Sequence, residues 1–371
     1  MNKKLISLLL SAALAVSMLT VPAFAAEGGE ADAALDETNE VVVTLGDTVT
    51  ASTVEDTDKA AADKTAADKT KTADSAPAAS TEKKQITYVA LGDSIVAGVG
   101  LADVKYAKDS TTLYSVDMSP NFKGYSPDCY VGKVAAMMGL DRDHAINLGL
   151  PALTAPDLAD MVRDGQMPKM NMESGCWYKY PEFQDYIRKA DVVSVQIGSN
   201  DAFVPCIVAL GNATNWKSEA LAASVLAGDL RASGSPAAAL IQGIKEMHLT
   251  RDERNATWNL LTSEMGKICD RIYPQTTAGL ISVVQEIRKL NPDCQILLMG
   301  YTDPVPFVPC WHNYFKKLNK FEKQLAETYD LTYVAIPKAK TDLDVHPTIS
   351  GHEYIAKKIV NSIELPEDNA Q

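Results

Sequence analysis

Residues 86–100 read ITYVALGDSIVAGVG, in which a run of apolar, β-favouring residues stops abruptly at Gly92, Asp93 and Ser94. The apolar run is continuous rather than alternating, which is typical of a strand that is covered on both faces. Ser94 therefore falls just past the carboxyl end of a buried strand, where a helix is expected to begin. Two roles stay open for Ser94 at this point, an ordinary helix cap or a reactive nucleophile.

Four further segments have the composition of buried strands, and helical patterns lie between them. The predicted strands span residues 86–91, 145–148, 192–197, 295–299 and 333–336. The predicted helices span residues 130–138, 155–163, 181–189, 277–290, 313–328 and 349–363. This alternation predicts an α/β fold in which helices cover a parallel sheet. Ligands of such sheets bind beyond the carboxyl ends of the strands, the edge at which Ser94 is expected.

The chain before this domain has two parts of different composition. Residues 1–25 combine two lysines, an apolar segment and the small-x-small site at Ala23, Phe24 and Ala25, which predicts a cleaved signal peptide rather than a membrane anchor. Residues 26–84 are rich in Ala, Asp, Lys and Thr, and they contain no aromatic residue, so they predict a disordered acidic spacer. We therefore expect a secreted, extracellular bacterial protein without a stable membrane anchor, whose folded domain spans residues 85–366.

Charge and composition exclude several classes of function. The chain has a net charge of −13, most of which lies in the spacer, and it has no basic cluster with interleaved aromatic residues, so no nucleic-acid partner is expected. No metal-ligand spacing and no nucleotide-binding loop occurs, so no metal and no cofactor is expected. All six cysteines lie in the folded part, and we expect one or two disulfide bridges among them. The oligomeric state is left open.

Two more polar segments are expected at the same edge of the sheet. The third strand runs into Gly198, Ser199, Asn200 and Asp201, which form an ordinary turn or else place the Asn200 amide where it donates to an oxyanion. His346 follows the fifth strand and has carboxylates two and four residues away. A lone histidine is more often structural than catalytic. Here serine, asparagine and histidine share one predicted edge, which favours His346 as a general base.

At this point the sequence resembles the GDSL-type, or SGNH, serine hydrolases. The resemblance rests on four blocks in the order of that family: GDS at 92–94, NLG-x-P-A-L-T-x-x-DL at 147–158, GSND at 198–201 and DVHP-x-x-x-GH at 344–352. The blocks span nearly the whole folded part. The resemblance implies a flavodoxin-like three-layer sandwich with a five-stranded parallel sheet, in agreement with the strand pattern. No GxSxG elbow is present, so the larger α/β-hydrolase family is not supported.

The resemblance also implies roles for individual residues. Ser94 matches the nucleophile, His346 the base, and Asn200 the side chain that lines the oxyanion hole together with the Ser94 main-chain N–H. Ala152 stands where the family usually has glycine, so its main-chain N–H serves as a donor only if the backbone adopts the required geometry. The family acid usually lies three residues before the histidine, and this position is Leu343. Either Asp344 acts after a local shift, or the Leu343 carbonyl does.

These residues predict a serine hydrolase that cleaves carboxylic esters through a Ser-His(-Asp) acyl-enzyme mechanism. Its substrate is expected to be a small-molecule or glycan-linked ester, either a longer acyl ester or a carbohydrate O-acetyl group. A catalytically silent module of the same fold that binds a glycan or a cell-wall polymer is the alternative. A helical insert at about residues 203–253 is expected either to patch the core or to cover the substrate. The proline-rich loop at 301–311 is expected to form a pocket wall or a rigid connector.

Overall fold

A computed structural model describes residues 85–104, 122–226, 232–304, 308–341 and 346–364, all of which belong to one compact unit. The predicted signal peptide and spacer lie outside the described residues. The strands are β1 Tyr88–Gly92, β2 Ala145–Gly149, β3 Val192–Gln196, β4 Gln295–Met299 and β5 Thr332–Val334. The helices are α1 Ser94–Ala97, α2 Tyr130–Met138, α3 Ala155–Asp164, α4 Phe183–Lys189, α5 Ser199–Thr214, α6 Glu219–Leu226, α7 Pro236–Glu246, α8 Arg251–Asn259, α9 Met265–Leu290, α10 Pro309–Tyr329 and α11 Ile349–Val360.

The five strands form one parallel sheet in the order β2-β1-β3-β4-β5. This is the flavodoxin-like order, so the predicted fold class is confirmed. At the carboxyl edge, Gly92 of β1 lies opposite Gly149 of β2 and Gln196 of β3. The loops that follow these three strands therefore start at the same level, which brings the three sequence blocks together.

Helices cover both faces of the sheet. Every residue of β1, β2 and β3 is buried, as the continuous apolar runs predict. Helix α2 packs against α11, and α9 packs against α3, α5 and α10. The result is the three-layer sandwich that the sequence predicts.

Element boundaries agree with the prediction in some places and differ in others. The structure has β4 and α2 at the predicted residues, whereas β1 and β5 are shifted by one or two residues. The helix predicted at 277–290 begins twelve residues earlier, at Met265, and a π-helical segment at Leu260–Glu264 joins it to α8. It continues through Pro274, where the main chain gives up one helical hydrogen bond but tertiary packing retains the helix.

The predicted insert at about 203–253 is helical, and its first part is core. Within α5, Phe203 is buried and its ring lies 5.0 Å from that of Trp311 and 5.4 Å from that of Phe315. Helix α5 also packs against α8, and α6 packs against α7. This packing favours the core-patching interpretation for α5.

The prediction of disulfide bridges is wrong for this structure, because all six cysteines are free thiols. Three of them have other partners: Cys129 caps α2 by accepting from Gly132, Cys176 contacts Ser174, and Cys294 donates to a main-chain carbonyl. Of the remaining three, Cys269 contacts both Cys206 and Cys310 as a thiol. Burial raises the pKa of Cys129 to about 11 and that of Cys176 to about 12, which keeps both in the thiol form. None of the described helices has the length and apolar character needed to cross a membrane.

Candidate active site

The turn after β1 places Ser94 at the first position of α1. Gly92 has a φ of 152°, and a Cβ there would lie 2.0 Å from the Gln196 carbonyl oxygen, so only glycine fits. Asp93 is the N-cap residue, because its carboxylate accepts from the Ile95 main-chain N–H at 2.9 Å. Since Asp93 provides the cap, Ser94 is not the capping residue, and its hydroxyl is left to make another contact.

That contact is His346. The His346 Nε2 atom lies 3.0 Å from the Ser94 Oγ atom, although the two residues are 252 positions apart. Both side chains are buried, with 8% of Ser94 and 1% of His346 exposed. His346 is positioned by the start of α11, whose N-cap Thr348 accepts from the Gly351 N–H. The distance lies within the range in which an imidazole takes a proton from a hydroxyl.

The third member of the predicted catalytic group is not described. Asp344 and Leu343 both fall within residues 342–345, which lie outside the described residues. The choice between the Asp344 carboxylate and the Leu343 carbonyl therefore stays a prediction.

Ala152 lies in the loop after β2 and adopts a φ of 63°. This left-handed conformation is the one that glycine adopts without strain, and glycine is the residue that the family usually has at this position. The role of the Ala152 main-chain N–H as an oxyanion donor stays a prediction. The two neighbours of Ala152 are fixed by hydrogen bonds, since the Pro151 carbonyl accepts from the Tyr178 hydroxyl at 2.8 Å and the Leu153 carbonyl accepts from Asn200. The loop is therefore held in place on both sides of Ala152.

Asn200 is the second residue of α5 and is 1% exposed. Its Nδ2 atom donates to the Leu153 carbonyl at 3.0 Å, which joins the start of α5 to the loop after β2. An amide NH2 group carries two hydrogens, and this bond uses one of them. Ala152 and Asn200 are the predicted oxyanion donors besides Ser94, and they lie in two segments that this hydrogen bond joins.

A buried polar cluster beneath the Ser94 turn was missed by the sequence analysis. Asp93 is fully buried, and its Oδ2 atom accepts from the Ser199 hydroxyl at 2.7 Å and from the Tyr301 hydroxyl at 3.1 Å. Burial raises the pKa of the Asp93 carboxyl, while its hydrogen bonds and the charge of His346 act in the opposite direction. Asp93 and Ser199 were visible in the motifs as neighbours of Ser94 and Asn200. Tyr301 lay in a loop with no motif.

Asp201 supports the neighbouring helix. Its Oδ2 atom accepts from the Ala155 main-chain N–H at 2.9 Å, at the first residue of α3. Burial raises the pKa of the Asp201 carboxyl to about 7, against an ordinary value of 3.8, even though the bonds from Ala155 and Thr276 favour its ionised form. The folded protein therefore binds this proton more tightly than the unfolded chain does.

We expect the stability of the Asp201→Asn variant, compared with that of wild type, to improve as the pH rises. The proton on Asp201 adds on the order of 4 kcal/mol to the free energy of unfolding below about pH 4. This contribution is lost as the pH rises through about 7. An amide keeps an acceptor for Ala155 but does not ionise. Urea unfolding at pH 4.5 and 8 should show the variant gaining on wild type at pH 8. The exposed helical carboxylate Asp185 supplies a control, since Asp185→Asn should show no comparable gain.

A cavity of about 440 Å³ opens beside Asn200. It lies between α3, residues 168–173, the first turns of α5, and α9. Its walls combine carboxyl-bearing side chains with proline and methionine side chains: Asp157, Asp160, Glu173, Asp201, Pro156, Pro168, Met170 and Met172. Within the described part of the chain, no group of three or more His, Cys, Asp or Glu side chains is arranged to hold a metal ion.

A flavodoxin-like sheet with a serine–histidine pair at its carboxyl edge is the arrangement expected of an SGNH serine hydrolase. The family model of the GDSL-like Lipase/Acylhydrolase family matches residues 90–354, and the chain belongs to this family. It is accordingly a carboxylic ester hydrolase.

Three solved hydrolases are similar to this chain over about three quarters of its length. A lipase from a goat rumen metagenome is 16% identical to this chain, with a TM-score of 0.41, and the match covers 75% of this chain and 97% of the lipase. Phospholipase A1 from Streptomyces albidoflavus is 14% identical to this chain, with a TM-score of 0.42, and the match covers 76% of this chain and 100% of the phospholipase. A carbohydrate acetylesterase from Sinorhizobium meliloti is 14% identical to this chain, with a TM-score of 0.40, and the match covers 75% of this chain and 97% of the acetylesterase. No curated protein matches the sequence.

Proposed function

We propose that the protein cleaves carboxylic esters through an acyl-enzyme formed on Ser94, with His346 as the general base. The observation that carries the proposal is the 3.0 Å distance between Ser94 Oγ and His346 Nε2 in a buried site. A serine hydroxyl is a weak nucleophile until an adjacent base accepts its proton. Asp344 is proposed to orient the imidazole and to stabilise the imidazolium.

The reaction proceeds in two halves. The Ser94 oxygen attacks the ester carbonyl carbon while its proton passes to His346 Nε2, and the resulting tetrahedral oxyanion accepts from the Ser94 N–H, the Ala152 N–H and the Asn200 amide. The intermediate collapses, the bond to the alcohol oxygen breaks, and His346 returns the proton to the leaving alcohol. Water then attacks the acyl-enzyme by the same route and releases the acid, which regenerates Ser94.

A covalent probe tests the proposed nucleophile. A fluorophosphonate reacts with an activated serine, and the peptide that contains Ser94 should carry the added mass after digestion. Labelling should disappear in Ser94→Ala, which lacks the hydroxyl that attacks the probe. Modification of a different serine, with Ser94 unmodified, would assign the nucleophile elsewhere.

We expect Asn200→Ala to lower kcat about 100- to 1,000-fold while the chain stays folded. The substitution removes a donor that is proposed to bind the oxyanion, which exists only in the transition state and the tetrahedral intermediate. Steady-state kinetics with p-nitrophenyl acetate measure the effect. Asn291 supplies a matched control, since it is also a buried asparagine that bonds main-chain carbonyls but lies before β4 at the opposite edge. An unchanged kcat for Asn200→Ala contradicts the oxyanion role.

The substrate is proposed to be either a carbohydrate O-acetyl ester or a longer acyl ester. The cavity beside Asn200 offers carboxylates that accept from sugar hydroxyls, and it also offers methionine and proline surfaces that contact apolar groups. A series of p-nitrophenyl esters of rising chain length separates the two substrates. Activity confined to acetyl favours the carbohydrate ester, whereas activity that is kept on long chains favours the acyl ester.

Export is proposed from residues 1–25, whose lysines, apolar segment and Ala23-Phe24-Ala25 site form a signal-peptide pattern. The proposed product is a secreted bacterial enzyme with the acidic spacer at its amino end. Sequencing the amino terminus of protein recovered from culture medium tests this proposal, with Ala26 expected as the first residue.

A further inference from the structure

Tyr301 follows Gly300 at the end of β4 and is 3% exposed. Its main chain is held by one side chain of α10, because Asn319 Oδ1 accepts from the Tyr301 N–H at 2.7 Å and Asn319 Nδ2 donates to the Tyr301 carbonyl at 2.9 Å. Its ring lies 5.6 Å from the Phe315 ring, also on α10. These contacts fix the tyrosine independently of its hydroxyl group.

The Tyr301 hydroxyl joins this element to the site. It donates to Asp93 Oδ2 at 3.1 Å, and the same oxygen accepts from the Ser199 hydroxyl at 2.7 Å. Asp93 immediately precedes Ser94, and Ser199 immediately precedes Asn200. The cluster Tyr301–Asp93–Ser199 therefore connects the carboxyl ends of β4, β1 and β3 directly beneath two residues of the proposed catalytic site.

Three hydrogen bonds in the cluster favour the ionised form of Asp93, although burial raises the pKa of this carboxyl overall. Asp93 accepts three hydrogen bonds, from the Ile95 N–H and from two hydroxyls, and an ionised carboxylate acts only as an acceptor. Among the described residues, the titratable groups that interact with Asp93 are Tyr130 from α2, Tyr301 and His346. Because the carboxylate is buried, the loss of one donor leaves its charge poorly compensated.

We propose that Tyr301 is a positioning residue for ester hydrolysis that acts through Asp93, holding the Ser94 turn against the segment that carries Asn200. The inference rests on the proposed roles of Ser94 and Asn200. Tyr301 is not proposed to touch the substrate, so its removal should impair the chemical step rather than binding.

Tyr301→Phe removes only the hydroxyl, and Tyr88→Phe is the matched control. The Tyr88 hydroxyl is also buried and bonds one side chain, Ser194, at 2.7 Å within the sheet. We expect Tyr301→Phe to lower kcat about 10-fold, the effect of losing one hydrogen bond to a charged group, with KM changed less than about twofold. Tyr88→Phe should keep the wild-type kcat. A kcat for Tyr301→Phe within about twofold of wild type overturns the inference.

The pH profile separates positioning through Asp93 from a loss of packing. Without the Tyr301 donor, the pKa of the Asp93 carboxyl rises, so the acid limb of kcat should move to higher pH in Tyr301→Phe. Asp93→Asn has no carboxyl to titrate at this position, so adding Tyr301→Phe to Asp93→Asn should leave the acid limb where it is. Should Asp93→Asn fail to fold, Tyr301→Phe alone provides the test. An acid limb that does not move in Tyr301→Phe overturns the inference.

A failure of this inference is distinguishable from a failure of the proposed function. Should Ser94→Ala keep its activity and its fluorophosphonate labelling, the proposed function is wrong, and the inference is lost with it. Should Ser94→Ala be inactive while Tyr301→Phe behaves as Tyr88→Phe does, the function stands and only the positioning role is wrong.

Discussion

Ser94→Ala is expected to lower kcat about a million-fold, the size of loss that follows removal of a serine nucleophile that works as a unit with its base. The alanine leaves the Asp93 cap in place, because the cap bond runs from the Asp93 carboxylate to the Ile95 N–H and does not involve the serine hydroxyl. The main-chain N–H of residue 94 is also kept. The variant should therefore fold, bind the ester and hydrolyse almost none of it.

Kinetics with a p-nitrophenyl ester measure this loss, and a second serine controls for it. Ser194 is buried in β3 and bonds the Tyr88 hydroxyl, so Ser194→Ala removes a buried serine hydroxyl away from the site. We expect Ser194→Ala to keep its activity and to be labelled by the fluorophosphonate. A Ser94→Ala variant that retains more than about one hundredth of wild-type kcat contradicts the nucleophile assignment.

The fold could be predicted because each strand carries its own local signal. The buried runs at 145–148 and 295–299 correspond almost residue for residue to β2 and β4, since a strand covered on both faces is apolar throughout. The start of α9 could not be predicted in the same way. A proline inside a helical pattern favours a boundary, and only the packing of α9 against α3, α5 and α10 retains helix on both sides of Pro274.

Residues of the candidate site could be predicted only where they lie within a sequence motif. Serine is equally suited to capping a helix and to attacking an ester, so residue 94 alone did not settle its role; the structure shows that Asp93 takes the cap. Tyr301 reaches Asp93 from 208 positions away, and its hydroxyl contact depends on how β4 and α10 pack. The cysteine count permitted disulfides, but which thiols lie near one another is likewise a property of the packed helices.

His346→Ala is expected to cost as much as Ser94→Ala, about a million-fold in kcat, because the serine hydroxyl has no activated form without its base. His346 is 1% exposed, so its loss also leaves a small cavity, and circular dichroism and a melting curve should accompany the kinetics. His144 supplies the control: it pairs with Asp141 ahead of β2, at the opposite edge of the sheet. His144→Gln should keep wild-type activity.

The double variant Ser94→Ala/His346→Ala distinguishes a catalytic unit from two independent contributions. If the hydroxyl and the imidazole act on the same proton, removing either one removes the whole step, and the double variant should be no slower than either single variant. Independent contributions would multiply instead and leave the double variant about a million-fold slower again, which no assay could separate from the uncatalysed rate. A measurable residual rate that is equal in all three variants is therefore the expected result, supplied by the oxyanion donors and by substrate binding. A residual rate that falls further in the double variant contradicts proton transfer between Ser94 and His346.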